Sequence, residues 1–231
     1  MNIDNLINDN KSLFSDDIKN NEKILSEIIN DSKFLVIGGA GTIGQSLVLQ
    51  IAIRNPKRID VIDLSENNLV ELVRSIRSNQ KLFDLNLRTF AIDFGSDEFI
   101  SFYENNFDFD YILNLSALKH VRSESNIYTL TRLIKVNILN NITFLKRNKV
   151  KNFFCVSTDK ASTPINMMGG SKKIMELFLT NRNYAKKTSF ARFANVAFSD
   201  GSLLYGYQNR IKNNQPIACP NNIKRYFINK T

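Results

Sequence analysis

The sequence predicts an α/β fold, a parallel sheet wound with helices on both faces, and three observations carry that expectation. Short apolar runs alternate with amphipathic stretches from Lys33 to Val196. Runs such as "KFLVI" and "NFFCV" are almost wholly apolar, as strands covered on both faces require. The first run ends in a glycine-rich turn, "VIGGAGTIG", that opens directly into a helical pattern. With 231 residues, 43% of them hydrophobic, the chain has the material for a sizeable core.

The elements follow in order. Residues 1–31 form a polar, Asn-rich extension with apolar residues at helical spacing (Ile3, Leu6, Ile7, then Ile24, Leu25, Ile28), which predicts one or two short helices outside the main fold. The main domain spans 32–198. Its first strand is "KFLVIGG", followed by the helix "TIGQSLVLQIAIR"; its second is "RIDVID", followed by "SENNLVELVRSIRS", a helix that Ser65 is placed to cap. "LRTFAID" and "DYILNLSA" are the third and fourth strands. One long helix is expected from Ile127 to Lys146, then a fifth strand "KNFFCVS", a helix "INMMGGSKKIMELFLTN" and a sixth strand "KTSFARFANV". Residues 199–231 are read as the start of a C-terminal substrate lobe that this chain leaves incomplete.

Composition narrows the function. Charged residues make up 23% of the chain, which sets it apart from broadly disordered sequences. The net charge of +9 permits anionic partners, but the basic residues are scattered without an aromatic-studded stripe, so they read as a solvated surface and not as a nucleic-acid face. Cys155 lies in an apolar run and Cys219 in a polar tail, with no CxxC spacing, so neither a disulfide framework nor a metal site is expected. No stretch is apolar for long enough to form a transmembrane segment, and "MNIDNLINDN" lacks the regions of a signal peptide, so the expected setting is the reducing cytoplasm.

The glycine turn points to a nucleotide. Gly38, Gly41 and Gly44 follow a strand at GxxGxxG spacing, where the backbone turns tightly enough to approach a pyrophosphate. The free N–H groups of the next helix, at Thr42 and Ile43, meet the phosphates at the positive end of the helix dipole. Asp63 ends the second strand, where an acid hydrogen-bonds a ribose 2′-OH. Together these define a Rossmann-type dinucleotide site for NAD or NADP. Asp63 favours NAD, because a carboxylate repels a 2′-phosphate; Arg74 or Arg77 folding back would weaken that preference. Asp93, at the end of the third strand, is an adenine contact or a plain strand-end cap. Ligands in open α/β sheets lie beyond the carboxyl ends of the strands, so Ser116 and Ala117 at the tip of strand four, and "STDKA" at the tip of strand five, face the nicotinamide.

At this point the chain resembles a known family. "SALKHV", "STDKASTPINMMGGSKK", "ARFANV" and "KRYF" are similar to the signature blocks of the nucleotide-sugar 4,6-dehydratases of bacterial polysaccharide biosynthesis, extended short-chain dehydrogenase/reductases typified by UDP-N-acetylglucosamine 4,6-dehydratase. The resemblance runs from Lys33 to Phe227 with the blocks in family order. It implies oxidation at C4 of a UDP-sugar, elimination of water across C5 and C6, and return of the hydride to C6. It implies that Asp159 is the acid at C6 and Lys160 the base at C5, and that Lys172 binds the nicotinamide ribose. Met168 stands at the position of the superfamily's active-site tyrosine. A thioether cannot take a proton, so the C4 base stays open between Asp159, Thr158 and a water relay, with Asp159 preferred. The resemblance further places Lys119, His120, Ser157, Asn195 and Arg225 on the substrate, the last two near its diphosphate, and it implies a homo-oligomer paired through helices beside the site. The chain departs from the family pattern at Ile37 (usually threonine), Ala194 (usually glycine) and Asp200 (often arginine), and it ends at Thr231 where the family continues. "YFINK", Tyr226 to Lys230, has the Y-x-x-x-K spacing but follows strand six, and is read as coincidence. A 4-epimerase or reductase on the same scaffold, and a catalytically inactive nucleotide-binding subunit, are the competing functions.

Overall fold

A computed structural model describes residues 14–181, 185–219 and 225–228. Its elements in chain order are α1 (Ser15–Ile29), β1 (Lys33–Ile37), α2 (Thr42–Ala52), β2 (Arg58–Asp63), α3 (Glu66–Arg77), β3 (Leu87–Ala91), α4 (Asp97–Asn105), β4 (Tyr111–Asn114), α5 (Ile127–Ile134), α6 (Asn140–Arg147), β5 (Val150–Thr158), α7 (Met167–Thr180), β6 (Ala185–Phe193), β7 (Asn195–Val196), α8 (Leu203–Lys212) and β8 (Phe227–Ile228). Strands β1 to β6 form one parallel sheet in the order β3-β2-β1-β4-β5-β6. The order reverses between β1 and β4. Connections leave that point toward opposite faces and open a crevice at the carboxyl edge of the sheet.

The period of two along β1 divides the core. Leu35 and Ile37 point into a layer with Phe99 and Tyr103 of α4, Phe144 of α6 and Met175 of α7. Phe34 and Val36 point into the opposite layer with Val48 and Ile51 of α2 and Leu69 and Leu72 of α3. A sheet covered on both faces explains why its strands are nearly all apolar. Ser65 caps α3 as expected, accepting from the Asn68 amide at 3.3 Å. Cys155 is buried among the core side chains and Cys219 is exposed, both unbridged.

The fold differs from the sequence expectations in four places. The described part of the N-terminal extension is one helix, α1, and it packs on the main fold instead of lying outside it. Its Ile29 joins the α2–α3 layer, and its Glu22 forms a two-pronged bond to Arg54 at 2.9 and 2.6 Å; Ile3, Leu6 and Ile7 lie outside the described residues. The long helix after residue 127 is α5 and α6 joined through a π-helical turn, Lys135–Leu139. The sixth strand stops at Phe193; Asn195 and Val196 leave the main sheet and pair with Phe227 and Ile228. Two helices, α4 and α8, form where the sequence showed no clear period. Within the described residues no helix is long and apolar enough to cross a membrane.

Phe153 of β5 is buried against Phe144. Phe153→Ala is predicted to destabilise the fold by about 3–5 kcal/mol, read by chemical denaturation; a loss under about 1 kcal/mol would contradict this packing.

Candidate active site

The crevice at the switch point is a cavity of about 600 Å³. Of the site residues read from the sequence, all but Asp159 line it. Its cofactor end is shaped by glycine. Gly38 has φ +72°, and a Cβ there would lie 2.7 Å from the Ser116 amide nitrogen, so only glycine lets β1 and β4 approach so closely. At Gly44 a Cβ would collide with Gly39, 2.6 Å from its Cα, which fixes α2 against the strand end. Gly41 differs. A Cβ there would meet only the Gly38 carbonyl oxygen, at 3.6 Å, and Gly41 begins α2 without any side-chain cap. The space above it is open, and the free amides of Thr42 and Ile43 border it, so the turn fits a diphosphate. Asp63 accepts from the Ala40 amide and the Ser65 amide, each at 3.0 Å, which holds its carboxylate at the crevice wall. Asp93 lies 3.9 Å from Arg132 across the same wall. Arg74 is turned away to Glu71 at 2.5 Å, and neither Arg74 nor Arg77 lines the cavity.

A chain of buried asparagines holds the wall together. Asn114 ends β4 fully buried; its Oδ1 accepts from the amide and hydroxyl of Ser116 at 2.9 and 2.7 Å, and its Nδ2 donates to Asn141 at 2.7 Å. Asn141 donates to the carbonyl of Asn137 at 3.3 Å. Asn137 accepts from the Leu118 amide and donates to the Leu118 carbonyl and to Ser171, each at 3.0 Å. Ser171 donates to the Met168 carbonyl at 2.7 Å. Asn140 donates to the Phe94 carbonyl. Sequence reasoning missed these positioning residues. The available signal was "NILNN", three asparagines in a helix that is otherwise apolar on its inner side.

The catalytic end is a single 3₁₀ turn, Asp159–Ala161, at the tip of β5. Lys160 Nζ donates to Asp159 Oδ1 at 2.9 Å and to Asn195 Oδ1 at 3.4 Å, and the Thr158 hydroxyl donates to Asp159 Oδ1 at 2.9 Å. Asp159 therefore sits at the rim, held by two side chains that line the cavity. Burial raises its pKa, but the bonds from Lys160 and Thr158 outweigh burial and hold it below the usual carboxylate range. Gly169 fastens α7 to this turn: a Cβ there would come within 2.7 Å of the Lys160 carbonyl oxygen. Asn166 caps α7 by accepting from the Gly169 amide at 2.9 Å, and Glu124 accepts from the Met168 amide at 2.8 Å. Met168 is buried in the wall.

Lys172 lies one turn further along α7, fully buried, donating to the Val156 carbonyl at 2.9 Å. Burial pushes its pKa down, against the pull of Cys155 and Glu176. Glu176 is held by two bonds from Arg192, at 2.9 and 2.6 Å, and accepts from the Ser157 hydroxyl at 2.5 Å. The hydroxyl of Ser157 is thus committed to the core side of the strand. Lys119 donates to the Asp200 carbonyl at 2.6 Å, His120 packs against Gly201, and Asn195 donates to the Tyr226 carbonyl at 3.1 Å. Arg225 is exposed at the mouth.

The fold and the glycine turn define a Rossmann-type α/β protein with a nucleotide-shaped crevice. Residues 34–230 match the polysaccharide biosynthesis protein family, and the chain belongs to that family. It is 32% identical over 210 residues to an uncharacterized membrane protein of Methanocaldococcus jannaschii, covering 88% of this chain and 61% of that one. It is 31% identical over 186 residues to the UDP-N-acetylglucosamine 4,6-dehydratase (inverting) of Campylobacter jejuni, covering 77% and 53%. The X-ray structure of Pen from Bacillus thuringiensis superposes with a TM-score of 0.74 at 28% identity, covering 87% and 62%. The chain thus spans between about half and two thirds of the length of these relatives.

The folded chain disfavours the charge on Lys172, so the unfolded state binds more protons at any pH between the lowered folded pKa and the usual 10.5. Wild-type stability relative to Lys172→Met is predicted to rise with pH across that window and to level off above it. Denaturation midpoints of the two proteins at several pH values check this; a flat difference would contradict a buried, desolvated ammonium.

Proposed function

We propose that the chain is the dinucleotide-binding and proton-transfer part of a nucleotide-sugar 4,6-dehydratase acting on UDP-N-acetylglucosamine or a close relative in surface-polysaccharide synthesis, in the cytoplasm. The observation that carries this reading is the turn at the tip of β5: Thr158 and Lys160 line the same cavity as Gly41 and Lys172, with Asp159 bonded to both of them at its rim. An elimination needs an acid and a base at adjacent carbons, and neighbouring residues on one tight turn supply them.

The glycine turn, Asp63 and Lys172 would hold NAD, which would supply hydride chemistry between C4 and C6 of the sugar. The residues do the rest. Asp159 starts ionised, in keeping with its lowered pKa. It takes the C4 hydroxyl proton as the ketone forms, then gives that proton to the departing C6 hydroxyl, which leaves as water. Lys160 takes the C5 proton as the base and returns it to C5 as the hydride reaches C6. Met168 cannot serve as the C4 base, and of Asp159, Thr158 and a water relay, the ionised Asp159 is the group assigned that step. Asn195 and Arg225 face the sugar diphosphate, with Lys119 and His120 beside them. A second copy of the chain packs on α5 and α7, where Tyr128, Ile174 and Leu177 are exposed.

Incubation with UDP-N-acetylglucosamine and NAD tests the reading: a product lighter by one water supports it. A mass-neutral isomer would make the protein an epimerase, and bound dinucleotide without turnover an inactive nucleotide-binding subunit. Lys160→Ala is predicted to lower the rate of water loss by roughly 10²-fold or more while dinucleotide binding is largely retained; equal loss of both would contradict its role. Asp63→Ala is predicted to weaken NAD more than NADP in a binding titration, and an unchanged preference would remove the case for NAD.

A further inference from the structure

The loop between β7 and α8 crosses the mouth of the cavity. Phe198, at φ +55°, and Gly201, at φ +68°, both take the left-handed conformation, which folds the loop back on itself. It is tied on two sides. On the glycine-turn side the Thr42 hydroxyl donates to Asp200 Oδ2 at 2.8 Å, and the Asp200 amide donates back to the Thr42 hydroxyl at 3.1 Å. On the other side Lys119 donates to the Asp200 carbonyl at 2.6 Å, and Gly201 lies so close to His120 that a Cβ would come within 2.9 Å of the ring. Asp200, Thr42, Gly41 and Lys119 all line the one cavity.

These bonds put a carboxylate at the first residue of α2, beside the open face of Gly41. That is the place where the positive end of the helix and its free amides await an anion. A dinucleotide diphosphate on the glycine turn brings a second negative group to the same few ångströms. Two like charges at such separation repel appreciably even near solvent.

We propose that Asp200 is an internal competitor for the anion position at the start of α2, so that the loop it carries must release Thr42 before a dinucleotide diphosphate settles on the glycine turn. Asp200 then sets how tightly the cofactor is held. The loop stays hinged on its Lys119 side, because that bond is made to a backbone carbonyl and does not depend on the Asp200 side chain. This inference rests on the dinucleotide reading above and adds to it the residue that limits affinity.

NADH fluorescence titrations of wild type, Asp200→Asn and Asp200→Ala test it. Asn keeps an oxygen that can accept from Thr42 and removes only the charge; Ala removes both, and Asp200 is exposed, so neither change disturbs the core. Both variants are expected to bind NADH roughly five-fold or more tightly than wild type at low ionic strength, with the gain shrinking as salt rises. Asp200→Ala is also expected to associate faster than Asp200→Asn, since it has no catch to open. Wild-type binding with Asp200→Asn equal or weaker would overturn the competition while leaving the cofactor reading intact. Failure of all three proteins to bind NADH would overturn the cofactor reading and the competition with it.

Discussion

The candidate site depends on one buried hydrogen-bonded chain. Asn114, Asn141, Asn137 and Ser171 run from the tip of β4 through the π turn to the start of α7. Each link pairs a polar group that would otherwise be costly to bury. The consequence is geometric. The Ser116 backbone, the Leu118 backbone and the Met168 carbonyl are all fixed to the same scaffold, so the nucleotide wall and the first turn of the lysine-bearing helix cannot drift apart. The π turn lies where Asn137, Asn140 and Asn141 reach inward toward three different segments, as such turns often do near functional sites.

Charge is distributed around this scaffold unevenly. Glu176 and Arg192 form a closed pair under the tip of β5, and burial there is offset by bonds to both carboxylate oxygens. Lys172, one turn earlier, donates to a neutral carbonyl, and burial lowers its pKa against the pull of Cys155 and Glu176. A desolvated amine facing a crevice is poorly suited to stability and well suited to an anionic or electron-rich ligand. The Asp159–Lys160 pair lies between these extremes: partly in solvent and mutually bonded. The three arrangements share one strand end, and each is in keeping with the part that the proposed reaction assigns to it.

Much of this was legible in the sequence, and the exceptions have physical causes. The alternation of strand and helix, the glycine turn and the cap at Ser65 are local signals, and the fold follows them. Helix α4, "DEFISFYEN", is short and rich in residues that also favour strands, and α8 carries Gly206 among aromatics; tertiary packing decides both. The break after Phe193 depends on Asn195 and Val196 finding partners more than thirty residues away. The asparagine chain was overlooked because asparagine carries no obvious chemistry, and its meaning appears only when the helix is placed beside the strand tips. The rim position of Asp159, outside the lining that Lys160 joins, is likewise a matter of side-chain direction that spacing alone does not convey.

The central claim is that the turn at the tip of β5 moves protons while hydride passes from one carbon of the sugar to another. UDP-N-acetylglucosamine labelled with deuterium at C4 tests it most directly, with the position of the label in the product read by NMR. The account predicts deuterium at C6 of a product that has lost its C6 hydroxyl. Label found only at C4, in a sugar that keeps that hydroxyl, would contradict it.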